Sequence, residues 1–208
     1  MTAEADWIRA ARRGDLEAFN RLVLAYQDAV YNVAYRILGE RAAAEDATQE
    51  TFLRAWQHIR RYRGGSWRGW LFRIATNACY DHLRRRRRRP TVPLETTDAE
   101  GGTLEDAPWL ADPNPKSRPE AEAERAALRR ALETCLQALP ADQRAALVLV
   151  DVEGLPYAEA AQALGVALGT LKSRLARARL RMQACLRRFP ELLGSLTRLN
   201  PGETPHAP

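Results

Sequence analysis

The sequence has few residues of the kinds that build disulfide frameworks, metal sites or membrane spans. Its 208 residues include three cysteines and three scattered histidines, and no run of eighteen or more apolar residues. Cys79, Cys135 and Cys185 are widely spaced and form no CxxC pair, so we expect ordinary buried thiols rather than a disulfide framework or zinc site. We also expect no cofactor, no metal and no membrane insertion. The N-terminal segment lacks a signal-peptide pattern, which predicts a cytoplasmic protein.

Basic residues outnumber acidic ones, 32 to 26, so the formal net charge is +6 and the isoelectric point is about 9.6. Such a balance favours a polyanionic partner, either nucleic acid or an acidic membrane surface. The positive excess is concentrated in the six arginines at 84–89 and in residues 171–181. Adjacent arginines repel one another around a helix end, so phosphates are the expected neutralising partner. A solvated, frayed helix end is the alternative.

Glycine and proline are rare within two long blocks, residues 5–89 and 120–189, where alanine, leucine and arginine recur at helical spacing. Residues 91–120 between them hold seven acids, two bases and five prolines, a net charge of −5. This composition cannot bury enough apolar surface to order itself. We therefore predict an all-α protein with two small helical domains and a flexible acidic linker. The predicted segments are 1–90, the linker 91–122, 123–189, and a flexible tail, 190–208.

The C-terminal block has the pattern of a helix-turn-helix. A helical stripe that includes Ala160 and Ala161 ends at Gly165, a residue that tolerates the positive φ of a sharp reversal. The following helix has Leu171 and Leu175 on its inward face and basic residues on its outward face. The exposed basic helix is suited to enter a major groove. The alternative is a packed helical hairpin with a solvated basic face.

The N-terminal block carries a polar helical face made by Asp46, Gln49 and Glu50. Paired carboxylates can serve catalysis, but no histidine, lysine or glycine-rich loop accompanies them, so we predict no enzyme site. The same face can be a solvated surface, or it can dock on an arginine-rich helix of a partner protein, and spacing alone leaves both open.

A glycine loop lies further along the same block, flanked by aromatic residues and arginines. Gly64, Gly65 and Ser66 form the loop, with Tyr62 and Trp67 at its margins. Aromatic rings among arginines are typical of a surface that stacks unpaired bases and holds their phosphates. Tyr62 and Trp67 are therefore our stacking candidates, with packing in the core as the alternative, whereas Trp70 is expected to be in the core.

Three stretches of the sequence resemble regions 2 and 4 of the extracytoplasmic-function sigma factors, a group of the sigma-70 family. They are AEDATQETFLRAW (44–56), WLFRIATNACYDHLRRR (70–86) and GLPYAEAAQALGVALGTLKSRLARAR (154–179), in the family's order and spacing. The resemblance implies a stress-response transcription initiation factor that binds core RNA polymerase, at the β′ clamp helices and the β flap, and directs it to promoter DNA. It also implies an anti-sigma partner.

The resemblance assigns residues to three sites by position. The polymerase-binding set is Asp46, Gln49, Glu50 and Arg54. The set for the melted −10 element is Tyr62, Arg63, Gly64, Ser66, Trp67, Ile74, Ala75, Asn77, Arg84 and Arg85. The set for the −35 duplex is Thr170, Lys172, Ser173, Arg174, Ala176, Arg177 and Arg179, of which Arg174 and Arg179 are better placed for phosphates.

Two departures from the family pattern affect details of these sites. The loop from Gly64 to Trp67 is one residue shorter than is common, which leaves the captured base open, and Ala167 stands where relatives often have proline at the turn. The competing interpretation is a self-sufficient helix-turn-helix regulator that acts without polymerase. Such a regulator needs dimer symmetry or a ligand pocket, and the sequence offers no evident dimerisation helix or sensor domain.

Overall fold

Eight α-helices form most of the described part of the chain, which in this computed structural model comprises residues 3–88 and 119–189, with side chains from 123 onward in the second stretch. The helices are α1 Ala3–Arg12, α2 Leu16–Leu38, α3 Arg41–His58, α4 Trp67–Arg88, α5 Pro119–Gln137, α6 Ala141–Leu147, α7 Tyr157–Leu164 and α8 Leu168–Leu186. A short 3₁₀ helix, Ile59–Arg61, follows α3, and a π-helical turn, Val148–Val152, continues α6. No β-strand occurs in these residues, which confirms the predicted all-α class.

Parts of the predicted organisation lie outside the described residues. These are residues 89–118, which include most of the predicted acidic linker and Arg89, and the predicted tail, 190–208. In the two described stretches, no helix combines the length and the apolar character needed to cross a bilayer.

Helix α2 shows why the first half of the molecule, helices α1 to α4, folds as the sequence predicts. The Asp15 carboxylate accepts a hydrogen bond from the Ala18 amide at 3.0 Å, which satisfies a free amide at the helix start. Gly39 ends the helix with φ at 73°, and its amide donates to the carbonyl of Tyr35. Between these caps, five larger apolar residues recur on one side of the helix and are buried. They are Phe19, Leu22, Val30, Val33 and Ile37.

The core of the first half lies between α2, α3 and α4, with α1 packed on α2. Phe72 and Leu71 of α4 are fully buried there. Two threonines are also fully buried, but each hydroxyl donates to a backbone carbonyl one turn earlier: Thr51 to Ala47 at 2.6 Å and Thr76 to Phe72 at 2.9 Å. The hydroxyls of both buried threonines are therefore paired.

The second half of the molecule, helices α5 to α8, forms around the inward face of α8. Leu171, Leu175 and Ala178 are buried, as predicted, and α8 packs against α5, α6 and α7. Gly165 reverses the chain between α7 and α8 with φ at 66°, which is the left-handed conformation that the sequence predicts there. Ala161 is buried at this crossing, so the predicted helix-turn-helix is present.

A disulfide joins the first and last helices of the second half. Cys135 of α5 and Cys185 of α8 are bonded, with their Cα atoms 5.6 Å apart and a separation of 50 positions in sequence. The expectation of ordinary thiols is therefore wrong for these two residues. Their spacing carries no signal, because only the packing of α5 against α8 brings them together. Cys79 is a buried free thiol, as predicted.

The two halves are in direct contact, because side chains of the second half donate hydrogen bonds to backbone carbonyls of the first half. Arg144 of α6 donates to the carbonyl of Ile37 at the end of α2, at 2.6 Å. Gln137 donates from Nε2 to the neighbouring carbonyl of Arg36, at 3.0 Å. Arg144 also donates to the carbonyls of Gln137 and Leu139 and to the side chain of Gln137. Side chains of the second half therefore satisfy carbonyls that the last turn of α2 leaves free.

A buried carboxylate adds a charged contact between the halves. Glu153, which follows the π-helical turn, lies 2.7 Å from Arg68 of α4 and 3.6 Å from Arg36 of α2. Only 9% of its side chain is exposed. Helix α4 packs along α7 beside this contact, so the first helix of the helix-turn-helix lies against the first half of the molecule.

Candidate nucleic-acid and partner interfaces

The polar face of α3 is present as the sequence predicts. Asp46 and Gln49 are exposed, while Glu50 is half-buried and accepts a hydrogen bond from Arg54 at 2.6 Å. Arg54 also donates through two nitrogens to Asp81 of α4, each at 3.1 Å. All four predicted residues line one shallow cleft between α3 and α4. Asp46 and Gln49 are thus available to a partner, while Glu50 and Arg54 take part in hydrogen bonds that connect α3 to α4.

The sequence did not point to Leu53, which lines this cleft, or to Asp81, which holds Arg54 from α4. Leu53 lines the cleft with 64% of its surface exposed, and its signal was an apolar residue outside the inward stripe of α3. Asp81 connects α3 to α4, and hydrogen bonds from Arg84 and then Arg54 hold the pKa of its carboxyl below the ordinary value. An ionised Asp81 keeps Arg54 in place.

The glycine loop before α4 has the backbone that its residues require. Gly64 and Gly65 have φ of 97° and 91°, a region that side chains disfavour. The Tyr62 hydroxyl donates to the carbonyl of Gly65 at 2.6 Å, and Ser66 accepts from the amide of Gly69 at 3.1 Å. These two hydrogen bonds hold the loop in place immediately before α4.

The two stacking candidates are buried, so that prediction is wrong for this conformation. Tyr62 is 6% exposed and Trp67 is 3% exposed. Their rings form a cluster with Trp70, with centroids 4.9 to 5.4 Å apart. Aromatic residues among arginines are typical both of exposed stacking surfaces and of packed clusters, and here packing prevails. Trp70, expected in the core, is half-buried and is the most accessible ring of the three.

Some of the other predicted −10 residues are exposed and some are buried. Arg63 and Ser66 in the loop and Asn77 on α4 are exposed, and Ile74 is half-buried. Ala75 is fully buried, so its predicted direct contact with a base is wrong for this conformation: its small side chain packs in the helical core. The accessible surface is therefore the loop backbone with the outward side of α4.

Helix α7 of the second half faces this loop. A cavity of about 160 Å³ separates them. It is lined on one side by the glycine loop and the start of α4, and on the other by Glu159, Gln162 and Ala163. A Cβ added to Gly69 would lie 3.2 Å from Oε2 of Glu159, so the carboxylate of Glu159 is close to the first turn of α4.

The arginine run is partly neutralised within the first half. Arg84 to Arg88 continue α4 and are exposed. Arg84 pairs with Asp81, Arg85 lies 3.5 Å from Glu50, and Arg86 lies 3.4 Å from Glu40. Exposed pairs of this kind contribute little to stability and exchange readily for other anions. The run is therefore an accessible cationic surface at the end of α4.

The outward face of α8 presents a polar surface with hydrogen bonds inside the helix, and the Ser173 hydroxyl donates to the carbonyl of Thr170 at 2.9 Å. Arg177 donates to the carbonyl of Ser173 at 3.1 Å and to its hydroxyl at 3.2 Å. The exposed predicted residues are Thr170, Lys172, Ser173, Ala176, Arg177 and Arg179, and Arg174 is half-buried. Arg174 and Arg179 are each paired with a carboxylate of the same half: Arg174 with Asp142 at 3.1 Å and Arg179 with Asp151 at 2.6 Å.

No group of histidine, cysteine and carboxylate side chains suited to a metal ion occurs within the described stretches.

Two family descriptions match the chain, one for each half. Residues 22–89 match the family described as sigma-70 region 2, and residues 129–182 match the family described as sigma-70, region 4. The first matched range contains the polar face of α3 and the glycine loop. The second contains the helix-turn-helix.

Individual relatives cover most of the chain. RNA polymerase sigma-H factor of Pseudomonas aeruginosa is 36% identical over 186 residues, 86% of this chain and 92% of that protein. ECF RNA polymerase sigma factor SigE of Mycolicibacterium smegmatis is 39% identical over 164 residues, 79% of this chain, which spans 60% of that relative's length. The sigma factor RpoE of Bartonella quintana, solved with the anti-sigma factor NepR, superposes with a TM-score of 0.58 and 27% identity, over 81% of this chain and 96% of that one.

Proposed function

This chain belongs to the extracytoplasmic-function group of the sigma-70 family, and we propose that it binds core RNA polymerase and directs it to promoters. The single observation that carries this proposal is the presence of both matched regions, in order, on one chain. It acts by binding rather than by catalysis, in the cytoplasm where the polymerase transcribes. We assign region 2 to residues 1–90 and region 4 to residues 123–189, joined by the linker 91–122.

The polar face of α3 is the proposed contact with the β′ clamp helices. Asp46 and Gln49 are exposed, and Leu53 adds an apolar contact beside them. Carboxylates on a helix face complement an arginine-rich partner helix and favour its correct register. Glu50 and Arg54 support this face through their mutual ion pair.

The glycine loop and the outward side of α4 are the proposed site for the melted −10 element. Extruding a base costs a few kcal/mol of unstacking, which contacts to the extruded base must offset. The loop exposes backbone groups at Gly64 and Gly65, and Arg63 and Asn77 add polar side chains. The arginines at the end of α4 supply cations for the strand's phosphates.

The outward face of α8 is the proposed reader of the −35 duplex. In helix-turn-helix proteins the N-terminal residues of the second helix contact base edges in the major groove. Lys172, Ser173 and Arg177 are exposed there and carry the donors that such contacts use. Region 4 is also the proposed contact with the β flap.

An anti-sigma protein is the proposed regulatory partner. The solved relative RpoE of Bartonella quintana is bound to an anti-sigma factor. The alternative of a self-sufficient regulator is not favoured, because both matched regions belong to a polymerase-directed family.

Asp46→Lys tests the polymerase contact, since Asp46 is exposed and its replacement leaves the α3–α4 ion pairs intact. We expect at least a ten-fold loss of affinity for core polymerase, because a carboxylate facing arginines becomes a like charge. Co-purification with tagged core polymerase measures this affinity. Asp28→Lys, an equal charge change at an exposed position of α2, serves as the control and should bind normally. Unchanged binding of the Asp46 variant would refute the assignment of this face.

A further inference from the structure

Two arginines of α8 flank its buried face symmetrically. At 100° per residue, Arg174 and Arg179 project about 70° to either side of the line defined by Leu171, Leu175 and Ala178. The exposed readers Ser173 and Arg177 lie on the opposite side of the helix. The two flanking arginines are thus at the boundary between the packed face and the DNA-facing surface.

Both flanking arginines are bound by carboxylates from one continuous helical segment. Arg179 donates from Nε and Nη2 to the two oxygens of Asp151, at 2.9 and 2.6 Å, and lies 3.4 Å from the Tyr157 hydroxyl. Arg174 Nε lies 3.1 Å from Asp142. Asp142 is in the first turn of α6 and Asp151 is in the π-helical turn that continues it. The segment from 141 to 152 therefore binds α8 on both sides of its buried face.

We propose that Asp142 and Asp151 are positioning residues that fix the rotation of α8 about its own axis, and with it which side chains face the −35 bases. Arg174 and Arg179 are then anchors within region 4 rather than phosphate contacts. This inference rests on the proposed function and adds specificity-determining residues to its −35 site.

Directional contacts are needed because the buried face of α8 is made of aliphatic groups. Burial of Leu171, Leu175 and Ala178 is non-directional and tolerates small rotations of the helix. A rotation of 20° moves a side chain on the opposite surface by about 2 Å, which is enough to break a hydrogen bond to a base edge. A side-on pair between a guanidinium and a carboxylate has a fixed geometry and resists that rotation.

Because these ion pairs are partly exposed, they can orient α8 while contributing little to the stability of region 4. The side chains of Arg179 and Asp151 are 51% and 30% exposed, so the pair contributes little to folding. Its removal should therefore alter base preference without unfolding region 4. The anchor role also predicts a distinct salt dependence, because an arginine whose charge stays paired with a carboxylate releases no counterions when DNA binds, whereas one whose charge contacts the DNA does.

The test uses holoenzyme reconstituted from core RNA polymerase and the full chain, with a duplex library in which ten base pairs are randomised. Wild-type holoenzyme is expected to enrich one sequence. Arg179→Lys keeps the charge but loses the side-on geometry, and Asp151→Asn removes the negative charge and replaces one of the two acceptor oxygens with a donor. Each should lower the preference for the enriched sequence over the library average by a factor of about five to ten. The exchanged pair Asp151→Arg with Arg179→Asp should recover part of that preference.

Salt titrations on the enriched duplex complete the test. Arg179→Gln should leave the slope of log affinity against log salt unchanged, whereas Arg177→Gln, which removes a proposed DNA contact, should reduce it by about 0.9. An Arg179→Gln variant that loses slope and keeps its base preference overturns the inference and makes Arg179 a phosphate contact. Wild-type holoenzyme that enriches no sequence contradicts the proposed function itself.

Discussion

At the scale of single residues, the cysteines show how similar residues acquire different chemistry from their surroundings. Cys135 and Cys185 are bonded between α5 and α8, whereas Cys79 is enclosed in the core of the first half. Burial raises the pKa of the Cys79 thiol to about 12. A thiol in that state is neither a nucleophile nor a metal ligand at neutral pH.

The disulfide closes a long loop, so its loss should destabilise the second half. A loop of 50 residues corresponds to about 4 kcal/mol of loop-closure entropy in the unfolded chain. We expect Cys185→Ser to lower the urea midpoint of region 4 unfolding, and a reductant to do the same to the wild type. The reductant should have no further effect on the variant. Identical midpoints for oxidised and reduced wild type would contradict the presence of the bond.

Cys79 should resist alkylation in the folded protein. With its pKa raised to about 12, the thiolate population at pH 8 is on the order of one in ten thousand. After gentle reduction, iodoacetamide should label the half-buried Cys185 before Cys79, as read by peptide mass spectrometry. Urea should then expose Cys79 to labelling. Rapid labelling of Cys79 without denaturant would mean that the first half opens in solution.

At the scale of helices and turns, two glycines share a left-handed backbone but differ in what surrounds them. Gly165 has φ at 66°, and a Cβ added there would contact nothing within 4 Å. Gly39 has φ at 73°, and its added Cβ would lie 2.6 Å from the Gln137 side chain. That side chain donates to the carbonyl of Arg36, so Gly39 affects both a helix end and the contact between the halves.

These surroundings predict different costs for the same substitution. Gly165→Ala should destabilise the protein by about 1 kcal/mol, from backbone strain alone. Gly39→Ala should cost about 1 kcal/mol more, because Gln137 must leave its hydrogen bond. Urea unfolding of the two variants measures the difference. Equal costs would show that the contact of Gln137 with α2 contributes nothing in solution.

Local signals explain which elements the sequence could predict. Asp15, Gly39 and Gly165 act within a few residues of their own position, and the inward stripes of α2 and α8 follow from helical periodicity alone. The sequence could not settle the burial of Tyr62 and Trp67, because aromatic residues among arginines are typical both of exposed stacking surfaces and of packed clusters. The partners of Arg174 and Arg179 lie 28 or more residues away in α6 and the turn after it, beyond the reach of spacing arguments.

At the scale of the whole molecule, the described halves are in contact, although the proposed function requires them to act on separate DNA elements. The −35 and −10 elements are about 25 base pairs apart, or about 85 Å of duplex. Two packed domains of this size cannot reach both. The contacts of Glu153 with Arg68 and of Arg144 with Ile37 must therefore break when the protein works on a promoter. Neither contact was predictable, since Glu153, Arg68 and Arg144 each have the sequence context of an ordinary surface charge.

Glu153→Gln should loosen the packing of the halves. The carboxylate is 9% exposed and pairs with two guanidiniums, those of Arg68 and Arg36. Because neutralising it weakens both ion pairs, we expect the docking of the halves to lose about 1–3 kcal/mol. Hydrogen exchange should increase in α7 and in the glycine loop. Glu124→Gln, an exposed site on α5, is the matched control. Unchanged exchange in the Glu153 variant would show that the other contacts hold the halves together unaided.

The central claim, that this chain directs core RNA polymerase to promoters, is tested most directly by mapping the starts of transcripts made in vitro. Core polymerase is supplied with genomic DNA, with and without the purified protein. We predict a set of protein-dependent start sites preceded by two shared sequence elements, absent when Asp46→Lys replaces the wild type. An unchanged set of start sites, together with site-specific duplex binding by the protein alone, would contradict the account.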